Sequence, residues 1–464
     1  MNNYIETRKN LDNRSQYRRL LRGLFCIILL TIYGVAFWLT WSKYYNLRME
    51  RMFWRKGHYL IMSIYVVAMY LVVRIYNGWK NGYIRVFNII FAQAVGAIIT
   101  NMGAYVMIIL LTKHLENALP LMFMTVVQII FSTPWAWACN KIYLRAYPPR
   151  RVLMVYGDRP AASLIRKIAN RTDRFTVSGL VSVDEGIERV IEMIPLYEGV
   201  VICDICAKSR NDILKYCYAR NIRTYVSPKI SDIIIRSSES QHMFDTPMLM
   251  ARNEGLTIES KAMKRLMDII ISLILLIITS PIMLLVAIAI KLEDHGSVFY
   301  KQERLTYGRK SFYIYKFRSM KENAEQDGKE RLSQKDDDRI TKVGHFIRAT
   351  RLDEIPQFFN ILKGDMSLVG PRPERPAIAA KYEEAIPEFA YRLKAKAGLT
   401  GYAQVYGKYN TTAYDKLKLD LMYIQNYRIS LDIEILMKTI QVIFTSDAAE
   451  GVEDGFEDAL KSSN

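Results

Sequence analysis

Cysteine and histidine are both scarce in this chain, five of each among 464 residues. So few cysteines, and an odd number of them, exclude a secreted scaffold held together by disulfides. With no histidine-rich or cysteine-rich ligand set, any metal the protein uses is expected to be a hard, oxygen-bound ion. Acidic residues are in deficit: 46 Asp and Glu stand against 64 Lys and Arg, a balance of +18. Such an excess points to an anionic partner, whether nucleic acid, a membrane surface or a phosphate-bearing substrate. No recognised nucleic-acid-binding module appears, so no nucleic acid partner is expected. Apolar residues, by contrast, make up 51% of the chain, which excludes disorder along its length.

Those apolar residues come in runs. Residues 1 to 22 are polar and basic (Arg8, Lys9, Arg14, Arg18, Arg19, Arg22), and a run from Gly23 to Trp41 follows. It is too long for a signal-peptide core and no small-residue cleavage site follows it, so it reads as a retained membrane helix. Three more runs, His58 to Val73, Phe87 to Thr112 and Ala118 to Cys139, follow it. Each can cross about 30 Å of hydrocarbon at about 1.5 Å per residue. Polar faces with helical period are missing, which argues against a soluble bundle. Residues 1–145 are therefore expected to form a four-helix transmembrane bundle. Arg74, Lys80, Arg85, Lys141, Arg145, Arg150 and Arg151 lie on the side of the N-terminus, against Lys43, Arg48, Arg51, Arg55, Lys56 and Lys113 on the other. The larger group places both ends of the bundle in the cytosol.

After Pro148 and Pro149 the texture changes. Arg151 to Gly157 reads as a buried strand ending in a turn, and Ala161 to Ala169 has helical spacing. Further short apolar runs, Val177 to Val183, Val200 to Ile205 and Thr224 to Ser227, alternate with helix-like stretches. The alternation predicts a doubly wound, Rossmann-like α/β domain over 150–250. A dinucleotide site would need three glycines in the first turn, whereas Gly157-Asp158-Arg159-Pro160 has one, so a structural or regulatory domain is the better reading. Cys203 and Cys206 have the spacing of a redox or zinc pair, but no second pair accompanies them and they fall on a buried strand, where thiols pack as small hydrophobes.

A fifth apolar run, Ile269 to Ile290, is interrupted by Ser280-Pro281. Proline removes a backbone donor and clashes with the preceding turn, so the helix is expected to kink or stop there, and a nearby serine hydroxyl can cap the freed carbonyl. Either a kinked span carries the C-terminal part across the membrane, or a re-entrant helix dips into one leaflet and returns. Lys261, Lys264 and Arg265 before it, and Lys291, Lys301, Arg304, Arg309 and Lys310 after it, favour re-entry.

Residues 299 to 405 concentrate the chemistry. An acidic pair, Asp353-Glu354, sits among repeated cationic groups in an apolar neighbourhood of Leu352, Ile355 and Pro356. Adjacent carboxylates among cations suit a divalent metal plus a nucleophile. Arg372 lies between two prolines that fix the backbone around it, which suits bidentate phosphate recognition. Asp336-Asp337-Asp338 reads instead as a solvated surface network, and the tail over 447–464 is acidic.

From Lys264 to about Gln404 the chain resembles the bacterial polyprenyl-phosphate sugar-1-phosphate transferases, the monotopic phosphoglycosyl transferases. The resemblance rests on Lys264-Arg265-x-x-Asp268, Ser280-Pro281, Tyr315-Lys-Phe-Arg-Ser-Met320, Leu352-Asp-Glu-Ile-Pro-Gln357 and Lys363-Gly-Asp-Met-Ser-Leu-Val-Gly-Pro-Arg-Pro-Glu374. The transmembrane helices and α/β domain are similar to the long members, which start exopolysaccharide or capsule repeat units. The resemblance implies an α-rich catalytic domain over 258–446 with a re-entrant membrane helix over 264–292, at the cytosolic face of the bacterial inner membrane. It implies that Asp353 attacks the β-phosphate of a UDP-sugar, expels UMP and passes the sugar phosphate to undecaprenyl phosphate. Glu354, with Asp353, would hold Mg²⁺. Lys316, Arg318, Arg348 and Arg372 would stabilise the phosphates. Lys264, Arg265 and Asp268 would anchor the re-entrant helix at the lipid headgroups. Glucose and galactose are the natural guesses for the sugar, and the long form is compatible with a homodimer. One departure is visible: Lys396-Ala397-Gly398 stands where the family carries Lys-Pro-Gly, which bears on the local loop geometry. Two other readings remain, a glycosyltransferase that releases UDP and a catalytically silent scaffold.

Overall fold

The structure, a computed structural model, describes residues 17–49, 52–157, 165, 175–251, 256–321, 339–407 and 411–443. The chain divides into two compact units, Met1–Ser227 and Pro228–Asn464. Asp336-Asp337-Asp338, the acidic tail and most of the stretch predicted as helix over Ala161 to Ala169 fall outside the described residues.

The first unit opens with α1 (Arg18–Thr40), α2 (Lys56–Ile75), α3 (Val86–Thr112) and α4 (Leu119–Ala146), each long and apolar enough to cross a membrane. Buried residues recur at three- and four-residue spacing: Leu29, Tyr33 and Phe37 on α1, Tyr65, Met69 and Val73 on α2, Ala97, Ala104 and Ile108 on α3, Leu121 and Met124 on α4. The outer faces are equally apolar, with Ile27, Leu60, Leu110, Phe123 and Ile130 exposed. A polar cluster lies inside. Tyr65 donates to Asn101 Oδ1 (2.8 Å), Asn101 Nδ2 donates to Gln128 Oε1 (2.8 Å), and Gln128 Nε2 donates to the Tyr65 hydroxyl (3.0 Å). A greasy exterior around a satisfied polar knot fits hydrocarbon, where water cannot complete a stray hydrogen bond.

Four parallel strands follow: β1 (Arg150–Tyr156), β2 (Phe175–Ser182), β3 (Gly199–Cys203) and β4 (Arg223–Val226), in the order β2-β1-β3-β4. Val152 to Val155 are all buried because both faces of the sheet are covered. Leu153, Val155 and Val200 face α5 (Ile187–Met193) and α6 (Ala207–Ala219), while Val152, Met154 and Val201 meet Ile165 and Phe175. Cys203 is buried at the end of β3, whereas Cys206 is exposed just before α6, off the strand on which the sequence placed both.

The second unit begins with α7 (Ile230–Arg236) and a hairpin, β5 (Glu239–Met243) with β6 (Thr246–Met250), and continues into the 37-residue α8 (Ile258–Asp294). A second hairpin, β7 (Phe299–Leu305) with β8 (Ser311–Phe317), precedes α9 (Lys342–Ala349) and α10 (Gln357–Lys363). Then come β9 (Ser367–Val369), α11 (Pro376–Ala385), β10 (Gly398–Thr400), α12 (Tyr402–Tyr406), α13 (Ala413–Gln425) and α14 (Ile429–Ile443). The core joins Phe312 and Ile314 of β8 to Ile361, Leu368, Tyr423 and Ile435.

Helix α8 does not stop at Pro281, as the sequence allowed, but runs through it. The physical reason is local repair: Ser280 Oγ donates to the Ile277 carbonyl (2.8 Å), the acceptor that Pro281 leaves without its usual N–H. Both ends of α8 are tied to the same unit. Near the start, Lys264 Nζ lies 2.6 Å from Asp432 Oδ2 and donates to the Tyr423 hydroxyl, and Asp268 accepts from Ser367 Oγ and Leu368 N. Arg265 donates to the Ile361 and Leu362 carbonyls, where a cation meets the C-terminal dipole of α10. At the far end Glu293 accepts from Lys342 N and Val343 N, capping α9, and Asp294 binds Arg318. Between these anchors the helix bares Leu273, Ile277, Ile278 and Leu285. Lys264 and Asp268 were expected at lipid headgroups; both are instead buried against protein, because Asp432 and the start of β9 supply their partners.

Candidate active site

Asp353 and Glu354 sit in a short 3₁₀ turn, Leu352–Glu354, between α9 and α10. Arg351 enters that turn in the left-handed region (φ 59°), which reverses the chain and packs the turn against β8. Asn360, fully buried on α10, locks the register: its Oδ1 accepts from Tyr315 N (2.9 Å) and its Nδ2 donates to the Tyr313 carbonyl (2.8 Å). The next residue on β8, Lys316, places its Nζ 3.0 Å from Glu354 Oε1 and 4.0 Å from Asp353 Oδ2. Arg372 Nη2 reaches the same Glu354 oxygen at 3.4 Å. The two carboxylates are only 12% and 16% exposed, while the Arg372 side chain is 46% exposed, so it forms the open rim of the site.

The carboxyls are driven apart in acidity. Burial pushes Asp353 above the usual carboxylate range, and the neighbouring Glu354 charge adds to this against the pull of Lys316. Burial acts on Glu354 as well, but Lys316, Arg372 and Arg351 outweigh it and hold that carboxyl far below the usual range. Glu354 is thus the fixed anion of the pair, and Asp353 the poorly solvated, more basic one.

The backbone behind Arg372 is gripped from two sides. Arg392 Nη2 donates to the Arg372 carbonyl (3.1 Å) and Arg304 Nη1 to the Pro373 carbonyl (3.1 Å). Arg392 is itself held by Asp420, Nε to Oδ2 at 2.6 Å, with both side chains buried. The loop leaves β9, which pairs in parallel with β10. A Cβ on Gly398 would lie 2.1 Å from Gly370 N, so the close approach of these strands requires glycine. Ala397, in place of a proline, donates its N–H to Thr306 Oγ1 (3.2 Å), a bond that proline could not make.

The structure thus brings together Asp353, Glu354, Lys316 and Arg372 of the residues singled out from sequence. Arg348, half-buried on α9, acts electrostatically on Asp353. Arg318 is placed elsewhere: its side chain is 7% exposed and its guanidinium binds both oxygens of Asp294 and the Ser297 carbonyl (2.6 Å), so it fastens the end of α8. Sequence reasoning missed the supporting pair Arg392 and Asp420. Its signal was Asp420, an aspartate set on the apolar face of α13 among Leu417, Leu421 and Ile424.

Among the described residues no group of three or more His, Cys, Asp and Glu could hold a metal ion. Asp353 and Glu354 can offer only two carboxylates, which fits a Mg²⁺ that takes its other oxygens from a diphosphate and water. Beside Phe299 and Phe317, the exposed stretch of α8 forms an apolar groove of about 490 Å³ with Ile277, Met283 and Leu284.

Residues 259–446 match the model of the bacterial sugar transferase family. The chain is 39% identical over 242 residues to the UDP-N-acetylgalactosamine-undecaprenyl-phosphate N-acetylgalactosaminephosphotransferase of Aeromonas hydrophila, covering 51% of this chain and 56% of that protein. It is 40% identical over 192 residues to the UDP-glucose:undecaprenyl-phosphate glucose-1-phosphate transferase of Caulobacter vibrioides, 40% of this chain and 71% of that one. It is 37% identical over 241 residues to the undecaprenyl-phosphate galactose phosphotransferase of Salmonella typhimurium, 48% of this chain and 50% of that one. The chain thus spans about half the length of the first and third of these relatives.

Proposed function

This chain belongs to the bacterial sugar transferase family, and on that premise we propose that it moves a sugar 1-phosphate from a UDP-sugar to undecaprenyl phosphate, releasing UMP. The observation that carries the reading is the buried Asp353–Glu354 pair beside Lys316 and Arg372, inside the segment that matches the family.

Asp353 is the nucleophile. Its carboxylate attacks the β-phosphorus of the UDP-sugar, the bond from that phosphorus to the bridging oxygen breaks, and UMP leaves with the electron pair. The sugar phosphate is then an acyl phosphate on Asp353. A phosphate oxygen of the lipid attacks the same phosphorus, the bond to Asp353 breaks, and the carboxylate is regenerated with the lipid diphosphate sugar as product. Weak solvation of Asp353 leaves it reactive, while Lys316 and Arg372 neutralise charge building on the phosphoryl oxygens. Glu354, with Asp353, would hold Mg²⁺, which when bound neutralises the diphosphate.

The membrane reading follows from the apolar helices. In it α1–α4 form a four-helix transmembrane bundle whose ends face the cytosol. Helix α8 is re-entrant, supported by the anchoring of both its ends to one unit: a helix crossing the bilayer would leave them on opposite sides. The groove along α8 suits the acceptor's polyprenyl tail. The Rossmann-like sheet has a structural or regulatory part, and the reaction is the first membrane step of exopolysaccharide or capsule assembly. The relatives' names include three sugars, N-acetylgalactosamine, glucose and galactose. Purified full chain should therefore be incubated with UDP-sugars of all three kinds and undecaprenyl phosphate. UMP release with one of them is expected. Release of UDP would instead indicate transfer of the sugar alone, and no release with any donor would indicate a silent scaffold.

A further inference from the structure

The loop that presents Arg372 is held by its carbonyls, since Pro371 and Pro373 have no N–H to give. Four consecutive carbonyls are gripped: that of Pro371 accepts from Gly398 N (2.9 Å), that of Arg372 from Arg392 Nη2 (3.1 Å), that of Pro373 from Arg304 Nη1 (3.1 Å) and that of Glu374 from Leu305 N (3.1 Å). Gly398, Arg304 and Leu305 stand on the strands β10 and β7. Arg392 stands instead on a 3₁₀ turn, Pro387–Lys394, so its aim depends on what packs around that turn. A cavity of about 20 Å³ lies beside the loop, lined by Pro371, Arg372, Pro373 and Arg392 among others. The loop therefore has room to shift once the grip of Arg392 slackens.

What packs there includes an element that precedes the family segment. Helix α7 (Ile230–Arg236) lies before residues 259–446 in the chain but belongs to the same compact unit. It packs on α13. Its Ile230 and Ile233 are buried in one apolar cluster with Phe389 of the 3₁₀ turn, Leu417 and Leu421 of α13 and Tyr382 of α11. Asp420 lies between those two leucines on α13, and the Arg392 guanidinium sits 4.7 Å from the centroid of the Phe389 ring. Just past α7, Ser237 Oγ donates to Gln425 Oε1 (3.0 Å) at the end of α13. Helix α7 thus braces both halves of the Arg392–Asp420 pair. Close packing transmits a change there, because the neighbours of a deleted methyl group relax into the space it leaves.

We propose that α7 is a positioning element of the active site: through Phe389 and α13 it fixes the Arg392–Asp420 pair, and through that pair it aims Arg372 at the phosphates of the donor. The inference rests on the transfer reaction proposed above and adds to it a part of the chain that precedes the family segment. Ile233 is buried, so its effect reaches the reaction through Arg372.

The test is a double-variant cycle on the purified full chain, reading kcat/KM for UMP release together with the melting temperature. Ile233→Ala should lower kcat/KM by about tenfold, and Arg392→Lys, which keeps the charge beside Asp420 but loses the fork, by about 100-fold. In a chain already carrying Arg372→Ala, each should change kcat/KM by less than about twofold. A merely structural role would lower activity in both backgrounds alike. That result, or a folded Ile233→Ala with unchanged kcat/KM, would overturn the proposal. The same cycle is read on UDP-sugar binding to the Asp353→Asn chain by calorimetry, where no turnover is needed. A chain that binds UDP-sugar but releases no UMP would sink the transfer reading and leave the binding cycle to decide this one, whereas a chain that binds none would overturn both. Should Ile233→Ala fail to fold, Ile233→Val takes its place, with a smaller loss that must likewise vanish beside Arg372→Ala.

Discussion

Position 353 holds a carboxylate that burial makes more basic and a lysine 4.0 Å away keeps usable. The sign of that shift sets a pH dependence. The proposed nucleophile must be ionised to attack, so kcat/KM should fall as pH drops through a raised pKa, at a higher pH than the ordinary aspartate value of about 3.9. Replacing Lys316 with alanine removes the group that lowers the Asp353 pKa, so it should slow turnover and move the acid limb further up. A limb at or below pH 4 in the natural protein would contradict the assignment. Asp353→Asn should cost about 10⁴-fold or more in UMP release without changing the melting temperature. Much of this site was legible in the sequence, because the acidic pair, the flanked arginine and Lys316 lie in ordered motifs. The role of Arg318 was not legible: nothing in Tyr315-Lys-Phe-Arg-Ser-Met320 says that the arginine binds Asp294 while the lysine two residues before it faces the pair.

Helix α8 shows how elements carry that chemistry. Its N-terminal half docks through a buried ion pair, Lys264 with Asp432, whose side chains are 8% and 0% exposed. Removing one partner from such a pair strands the other, so Asp432→Ala should destabilise the fold by about 3–5 kcal/mol, read as loss of thermal stability. The double variant Lys264→Met/Asp432→Leu should recover most of it; if it does not, the cost lies in packing and not in the stranded charge. The apolar run of α8 was plain in the sequence, as were the strands of the α/β sheet, since hydrophobic period and run length fix such elements. What the proline does was less plain. Sequence reasoning allowed a stop, but one serine hydroxyl at Ile277 lets the helix continue. The anchors were also invisible, because they pair residues such as 264 with 432 and 293 with 342, far apart along the chain.

For the whole molecule the account requires one topology: both ends of α8, and with them the acidic pair, on the cytosolic side. A cysteine placed at exposed Ser311 in a chain whose own cysteines are replaced should react with an impermeant maleimide in inverted vesicles and not in intact spheroplasts. Labelling from the outside only would place the catalytic unit where no UDP-sugar reaches it. The central claim, a sugar phosphate held transiently on Asp353, is tested most directly by the mass of the intact chain. The purified protein is mixed with the UDP-sugar it uses and no lipid acceptor, then quenched rapidly. The account predicts a gain of one sugar phosphate, mapped to the peptide containing Asp353 and absent from Asp353→Asn. Release of UMP and formation of lipid diphosphate sugar on adding acceptor, with no such adduct or with the adduct on another residue, would contradict it.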